Sequence, residues 1–320
     1  MMIPTSDAQV LYHPPIDELR FLPEGPYPCG DGLISWVAIQ HGADQQVGSL
    51  NIFNLRTRTN QSYTLPGRPG FAFPLADYHR FVVGCERTVG VYDTRTGAWE
   101  PIIEGIDSHV TGTIINDGVT WDGNLVFGCK DLKFAEAKAG LYLWRGRDKK
   151  LFQLAADQTC SNGKAVVRID GNACLLYDID TPTKTVVSYR LDLGLGRLTE
   201  KHEVLDLRAC ADFPDGMIMT ADQKSLIISF YNPNAAAYGE TRQYRIEDGK
   251  LESVWRTLGS PQATCPQLVE WEGKIRMIIT TAVEHMPKER QADSPNAGCL
   301  FISDTDFSLA SEAPVFTGIE

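Results

Sequence analysis

Oxygen-bearing side chains recur next to glycine at four widely separated places in this sequence. They are Glu24, Asn116 with Asp117, Asn162 and Asp215. Carboxylate and carboxamide oxygens are the ligands that hard cations such as Ca²⁺ and Mg²⁺ prefer. Two carboxylates would match the charge of a divalent ion, whereas without the ion they would repel each other and one would take up a proton. If these residues meet in the fold, they predict a site for one divalent cation.

A structural role for the same residues is the alternative. Asp117-Gly118, Asn162-Gly163 and Asp215-Gly216 are dipeptides typical of turns with positive φ. Glu24 is a poor turn former, yet it occupies an equivalent place. That equivalence favours a shared site, and the choice depends on which elements carry the four segments.

The elements that would carry these residues form a repeat of β-strands. Short apolar or alternating runs bounded by Gly, Asp, Asn and Pro recur from end to end, and long amphipathic helical patterns are nearly absent. An aromatic residue closes one run of each repeat, with spacings of roughly 40 to 57 residues, the range of propeller blades. These anchors are Phe53, Tyr92, Tyr142, Tyr189, Tyr244 and Phe301. Apolar runs before and after each anchor complete a unit of four strands.

Four-stranded blades packed radially solve the problem of exposed edges for about 24 strands. The sequence therefore predicts an all-β fold, a six-bladed β-propeller with four antiparallel strands per blade, as a single domain over residues 1–320. Two or more β-sandwiches are the alternative, but no Pro/Gly/Ser-rich linker interrupts the period. The first strand of a blade is innermost, so its opening residue faces the channel. Those residues are Glu24, Gly70-Phe71, Asn116-Asp117, Asn162, Asp215 and Cys265.

The last blade needs a strand from one end of the chain. Without that strand, unpaired edge groups would be open to association. We expect it near residues 9–13 or near residues 314–317. Use of the N-terminal strand would make deletion of the first residues destabilising.

Composition limits the partners and the compartment. Asp and Glu total 41 against 30 Lys and Arg, and the net charge of −11 would repel a nucleic-acid backbone. The chain shows no signal-peptide pattern and no stretch near the roughly 18 apolar residues of a membrane span, so we expect a cytoplasmic protein without nucleic-acid or membrane partners. Eight cysteines without a CxxC pair predict reduced, mostly buried thiols. The lack of a GxSxG elbow argues against a serine hydrolase.

Five segments resemble the senescence marker protein, gluconolactonase and regucalcin family of six-bladed propellers. They are LPEGPYPCGDG, IINDGVTWDGNLVFGCKD, TCSNGKAVVRIDGNACLLYDIDTPTKTVVSYRLD, FPDGMIMTADQKSLIISFY and CPQLVEWEGKIRMIITTA, in the family's order over nearly the whole chain. The resemblance implies a metal-dependent lactonase in which Glu24, Asn162 and Asp215 bind the metal. It also implies that Asp215 is the general base and that Asn116, with Asp117 beside it, contacts the substrate. The implied cofactor is one divalent cation, expected to be Ca²⁺, with Zn²⁺, Mg²⁺ or Mn²⁺ as alternatives.

The chain departs from the family pattern at three places. Ile114 stands where the family often has an Arg that contacts substrate hydroxyls. Lys130 lies in a Gly-Cys-Lys-Asp segment that often reads Gly-Thr-Met-Asp, and Lys164 follows Ser-Asn-Gly where an apolar residue is usual. These differences suggest a less hydroxylated substrate, or one held by Lys130 or Lys164. His285, after the second strand of the sixth repeat, is either a substrate contact or a plain loop residue.

The predicted function is hydrolytic opening of a lactone ring, with a small-molecule lactone as the partner. The cation would polarise the carbonyl and stabilise the oxyanion, while a water activated by Asp215 or by the metal attacks. A metal-dependent phosphotriesterase resembling diisopropylfluorophosphatase is one alternative, since it uses a similar Glu, Asn, Asn, Asp ring on the same fold. A calcium-binding or protein-docking propeller without turnover is the other.

Overall fold

The computed structural model describes residues 3–319, and its regular secondary structure is almost all β-strand. The all-β prediction is confirmed, and most strands form four-stranded antiparallel sheets consistent with a β-propeller. The number of blades stays a prediction. Contacts divide the chain into two compact units, the first made of Met1–Arg68 with Ala209–Ala313 and the second of Pro69–Arg208 with Pro314–Glu320. The prediction of a single domain over residues 1–320 stays a prediction as well.

The first unit contains two sheets. The smaller one comprises β2 (Pro23–Pro28), β3 (Leu33–Ala38), β4 (Ser49–Asn54) and β5 (Thr59–Thr64), in that order. The larger one comprises β1 (Thr5–Tyr12), β18 (Phe213–Met219), β19 (Ser225–Tyr231), β20 (Tyr238–Arg245), β21 (Leu251–Leu258), β22 (Ala263–Trp271), β23 (Lys274–Thr281) and β24 (Leu300–Asp304). Its order is β18-β19-β20-β21-β1-β24-β23-β22. A 3-10 turn at Asp17–Leu19 precedes β2, and a short helix, α1 (Lys288–Asp293), precedes β24.

The second unit contains three sheets whose strands follow chain order. The first comprises β6 (Pro69–Pro74), β7 (Arg80–Cys85), β8 (Thr88–Asp93) and β9 (Trp99–Ile103). The next comprises β10 (Thr113–Trp121), β11 (Asn124–Asp131), β12 (Ala139–Arg145) and β13 (Lys150–Gln158). The last comprises β14 (Ser161–Asp170), β15 (Ala173–Asp180), β16 (Thr185–Asp192) and β17 (Arg197–Asp206). The 3-10 turns Gly146–Asp148 and Thr181–Thr183 follow β12 and β15.

The N-terminal strand β1 joins the two halves of the eight-stranded sheet. Residues 5–8 pair parallel with β21, and residues 9–12 pair antiparallel with β24. β1 is therefore the fourth strand of the set that begins with β22, which confirms the expected strand at residues 9–13. Residues 314–317 form no strand. Phe316 instead donates its N–H to the carbonyl oxygen of Pro74 at 2.8 Å and is completely buried.

The sequence repeat matches the strand order. All six aromatic anchors lie on the third strand of a four-strand set, namely β4, β8, β12, β16, β20 and β24. Alternation along each strand sends every second side chain into an apolar core between neighbouring sheets. In the second unit, one such core contains Trp121, Val126, Leu141, Leu143, Cys174, Leu176, Leu191 and Leu193.

Two predictions from composition concern the state of the cysteines and the lack of a membrane span. All eight cysteines are free thiols, and seven of them are buried, as expected. In residues 3–319, no helix has both the length and the apolar character needed to cross a membrane. Cytoplasmic localisation stays a prediction.

Candidate functional site

The predicted site residues lie on strands that open the four-strand sets. We call these the first strands: β2, β6, β10, β14, β18 and β22. Glu24 lies on β2, Asn116 and Asp117 on β10, Asn162 on β14 and Asp215 on β18. In the first unit β22 contacts both β18 and β2, and in the second unit β10 contacts both β6 and β14. Neighbouring first strands in each unit thus carry the predicted residues.

Every first strand carries a β-bulge at the predicted site position. The shifts in register fall between Glu24 and Tyr27, Pro69 and Phe71, Ile115 and Asp117, Asn162 and Lys164, Pro214 and Met217, and Ala263 and Pro266. A bulge interrupts pairing and re-aims a side chain. Asp117-Gly118, Asn162-Gly163 and Asp215-Gly216 therefore lie inside strands. The alternative interpretation of these dipeptides as turns is wrong.

In the second unit the carboxamides of Asn116 and Asn162 bond to each other. Nδ2 of Asn116 donates to Oδ1 of Asn162 and to the carbonyl oxygen of Ser161, each at 2.8 Å. Nδ2 of Asn162 donates to Oγ1 of Thr181 at 2.7 Å. These bonds fix both amides, and both residues are buried. Each side-chain carbonyl oxygen keeps lone pairs that can accept a hydrogen bond or bind a cation.

A buried ion pair lies beside the two carboxamides. Nζ of Lys164 is 3.3 Å from Oδ1 of Asp178, and the two side chains are 0% and 2% exposed. The same ammonium donates to Oγ of Ser161 and to the carbonyl oxygen of Asn162, each at 2.7 Å. Burial raises the pKa of Asp117, and the positive charge of Lys164 opposes that rise. The cluster places a buried positive charge next to Asn162.

Two residues that support Asn162 were missed by sequence reasoning. One carboxylate oxygen of Asp180 accepts the N–H groups of Thr159 at 3.1 Å and Cys160 at 2.8 Å, which holds the chain where it enters β14. Thr181 holds the amide of Asn162. The sequence feature that could have pointed to them is the Asp180-Thr181 pair directly after the apolar run of β15. Sequence does not show which strand such a pair will face.

In the first unit, Glu24 and Asp215 lie on the two first strands that contact β22. Oε2 of Glu24 accepts the N–H of Gly25 at 3.1 Å, and Gly25 has a left-handed φ of 53°. Asp215 is 8% exposed. The next residue, Gly216, lies so close to β22 that a Cβ there would be 2.7 Å from Sγ of Cys265. Glycine at this position allows the close approach of β18 to β22.

Tyr231, at the end of β19, contributes to the polar surroundings of Asp215. Its hydroxyl donates to the carbonyl oxygen of Glu284 at 2.6 Å, and Nε2 of Gln262 donates to the same oxygen at 3.0 Å. Burial raises the pKa of Tyr231, the carboxylates of Glu284 and Asp215 raise it further, and Arg290 opposes them. Tyr231 therefore stays a neutral hydrogen-bond donor at neutral pH.

The predicted donor set fits a hard divalent cation by its chemistry. Glu24 and Asp215 supply carboxylates, and Asn162 supplies a carboxamide oxygen. Because Thr181 already engages the amide nitrogen of Asn162, the oxygen is the atom left for a cation. Within the described residues 3–319, no three His, Cys, Asp or Glu side chains form a group that could hold a metal ion. The predicted ligand set has only two such residues, Glu24 and Asp215, and its third member is Asn162.

Comparison with known proteins decides the family. The model of the SMP-30/Gluconolactonase/LRE-like region matches residues 22–283. The chain belongs to this family. One relative is the putative sugar lactone lactonase YvrE of Bacillus subtilis strain 168, which is 26% identical over 291 residues that cover 89% of this chain and 91% of the relative. The resemblance found in the sequence segments is confirmed.

Solved structures of family relatives share the fold. A calcium-binding protein, regucalcin, from Agrobacterium tumefaciens strain C58 has a TM-score of 0.79 at 20% identity, over 99% of this chain and 100% of that chain. A gluconolactonase from Xanthomonas campestris has a TM-score of 0.62 at 17% identity, over 92% of this chain and 88% of that chain. At these identities the likeness concerns the fold.

The departures of this family member from the family pattern have definite places in the structure. Ile114 on β10 is 2% exposed, and it pairs with Lys130 of β11. The side chain of Lys164 is 0% exposed and forms an ion pair with Asp178, and its role in holding a substrate stays a prediction. His285, after β23, has a side chain that is 78% exposed. Its contact with substrate stays a prediction, as does that of Lys130.

Proposed function

We propose that this family member is a divalent-metal-dependent lactonase built on a six-bladed propeller. The observation that carries the proposal is the shared position of four oxygen-bearing residues. Glu24, Asn116, Asn162 and Asp215 each lie at the bulge of a first strand. Hydrolysis of a lactone is supported by membership in the gluconolactonase-containing family and by a relative named as a putative sugar lactone lactonase.

We assign Glu24, Asn162 and Asp215 to cation binding, with Ca²⁺ as the expected ion. A bound divalent cation supplies Lewis-acid polarisation of the lactone carbonyl. Asp215 is assigned the proton of the attacking water, because a carboxylate has more lone pairs than one cation engages. The deprotonated water adds to the ester carbon, the ring C–O bond breaks, and the proton taken by Asp215 passes to the leaving alkoxide oxygen.

Asn116 is assigned to orienting the lactone. Its Nδ2 is occupied by Ser161 and Asn162, so Oδ1 is the atom that remains for a ligand. Among residues 3–319, nothing donates a hydrogen bond to this oxygen. An acceptor of this kind suits a substrate hydroxyl or the attacking water. Asp117, beside it, is the second candidate for the proton acceptor.

The test is a panel of aldono-, sugar-acid and aliphatic lactones, with a phosphotriester in parallel, assayed by acid release in Ca²⁺, Mg²⁺, Mn²⁺ or Zn²⁺. We expect turnover of at least one lactone class above that of the phosphotriester. Asp215→Asn should abolish it, whereas Asp222→Asn, in the exposed turn after β18, should not. Turnover of the phosphotriester alone would favour the phosphotriesterase alternative. Cation binding without turnover would favour a non-catalytic propeller.

A further inference from the structure

The ion pair of Lys164 and Asp178 has no role in the proposed chemistry, yet its ammonium bonds to the main chain of a proposed metal ligand. Nζ of Lys164 donates to the carbonyl oxygen of Asn162 and to Oγ of Ser161, each at 2.7 Å. It also lies 3.3 Å from Oδ1 of Asp178. The ammonium thus makes two hydrogen bonds, and the carboxylate of Asp178 balances its charge. The charge is therefore bound entirely within the second unit.

The ammonium spans the bulge of β14. Asn162 and Lys164 both have partners on β15, but Gly163 between them has none. The side chain of Lys164 folds back past this unpaired residue and bonds the carbonyl oxygen of Asn162 on its other side. Asp178, the partner of Lys164 on β15, is itself held by Nε2 of Gln158, which donates to Oδ2 at 2.5 Å. Side chains from β13, β14 and β15 thus hold the bulge in one conformation.

Stability alone does not explain this arrangement. Burying an ion pair requires the desolvation of both ions, and an apolar pair of similar volume is often equally stable or more stable. Bulges recur where a side chain must be aimed. The side chain aimed here is Asn162, whose amide bonds Thr181 and whose oxygen accepts from Asn116. A fixed main chain at Asn162 keeps this oxygen in one place.

We propose that Lys164 is a positioning residue that fixes the bulge of β14 and thereby holds Oδ1 of Asn162 ready for a cation. Asp178 keeps the ammonium in place from the neighbouring strand. Lys164 acts in this way only if Asn162 is a ligand, so the inference rests on the proposed function. Removal of a partner that orients a metal ligand typically lowers metal affinity by about 10- to 100-fold.

Calorimetric titration of metal-free protein with Ca²⁺, and with Mg²⁺, Mn²⁺ and Zn²⁺ in parallel, tests the inference. Lys164→Met combined with Asp178→Leu replaces both charges by an apolar pair, so neither charge is left buried without its partner. We expect this double variant to fold, to melt somewhat below the wild type because Nε2 of Gln158 loses its acceptor, and to bind the cation about 10- to 100-fold more weakly. Arg168→Met is the matched control, because Arg168 lies on the same strand and pairs with the exposed Asp122. Its cation affinity should equal that of the wild type.

Two further readouts separate positioning from a merely structural role. Lactone hydrolysis by the double variant should recover at saturating cation, so the half-saturating cation concentration rises while kcat stays. Ser161→Ala removes one acceptor of Lys164 without changing any charge, and it should weaken cation binding by about two- to tenfold. If the double variant does not fold, Ser161→Ala still tests the inference.

Wild-type cation affinity in the folded double variant would overturn the inference. If the double variant does not fold, unchanged affinity in Ser161→Ala would overturn it instead. If Asn162→Ala binds the cation as tightly as the wild type, Asn162 is not a ligand and the inference about Lys164 fails. The proposed lactonase function would not fail with it, because the substrate panel tests that function separately. A wild-type protein that binds none of the four cations would overturn the metal-dependent function and the inference together.

Discussion

Thr181→Val tests whether a residue outside the proposed ligand set controls the geometry of Asn162. Oγ1 of Thr181 accepts a hydrogen bond from Nδ2 of Asn162 at 2.7 Å, and the two residues are 5% and 7% exposed. Valine has nearly the shape of threonine but no oxygen. The variant therefore loses the hydrogen bond without leaving a cavity.

The magnitude follows from a buried donor that is left without a good acceptor. The other neighbour of Nδ2 is Sγ of Cys160 at 3.6 Å, and a thiol sulfur is a weak acceptor. An unsatisfied buried N–H costs about 1–3 kcal/mol, so we expect the free energy of unfolding to fall by about that amount. The carboxamide of Asn162 is then held by the hydrogen bond from Asn116 and the weak contact with Cys160, and this looser hold should lower cation affinity by about tenfold.

Denaturant unfolding measures the first effect of Thr181→Val, and calorimetric titration with Ca²⁺ measures the second. Thr181→Ser keeps the oxygen and should stay near the wild type in both. Thr183→Val, which loses a hydrogen bond to the carbonyl oxygen of Asp180, should leave cation affinity unchanged. Wild-type stability together with wild-type affinity in Thr181→Val would refute the reasoning, because the orientation of Asn162 would then not depend on Thr181.

Four other predictions concern the site and the fold. Asp215→Asn should stop turnover yet keep measurable cation binding, since a carboxamide offers an oxygen but takes no proton at neutral pH, and near-normal turnover of this variant would place the base elsewhere. Asn116→Ala should raise KM and also weaken cation binding, because Nδ2 of Asn116 helps to hold Oδ1 of Asn162; an unchanged KM would contradict its assignment to the substrate. Deletion of residues 1–12 should lower Tm because β1 supplies the fourth strand beside β24, and unchanged melting would contradict that role. Burial would raise the pKa of Asp131, but three backbone N–H groups and Lys138 lower it to about 2. Because the folded pKa lies below the unfolded one, this carboxylate should stabilise the fold above about pH 4 and lose that effect as pH falls toward 2, a dependence that urea unfolding of Asp131→Asn should lack.

The strand order could be predicted because its signals are local and periodic. Phe53 and Tyr142, for example, lie on the third strand of their sets, as the spacing of the aromatic runs indicated. The role of β1 could be predicted only as one of two choices. Residues 9–13 and 314–317 were both plausible closing strands, and contacts with β24 decide between them.

The support of the site could not be predicted, because it depends on cross-strand register. Lys164 was visible as a departure from the family pattern, but its burial depends on Asp178, which faces it only because β14 carries a bulge. The bond from Asn162 to Thr181 likewise joins a strand to a turn 19 positions further along the chain. Strand periodicity places the ligand candidates, whereas bulges and turns select their partners.

The dependence of lactone hydrolysis on a cation tests the proposed function most directly. The protein is treated with a chelator and desalted, and its hydrolysis of the best lactone is followed while Ca²⁺ is added back in steps. We predict no hydrolysis in the chelated protein and full recovery once the added cation saturates one site per chain. Hydrolysis that continues undiminished after chelation would contradict a metal-dependent lactonase.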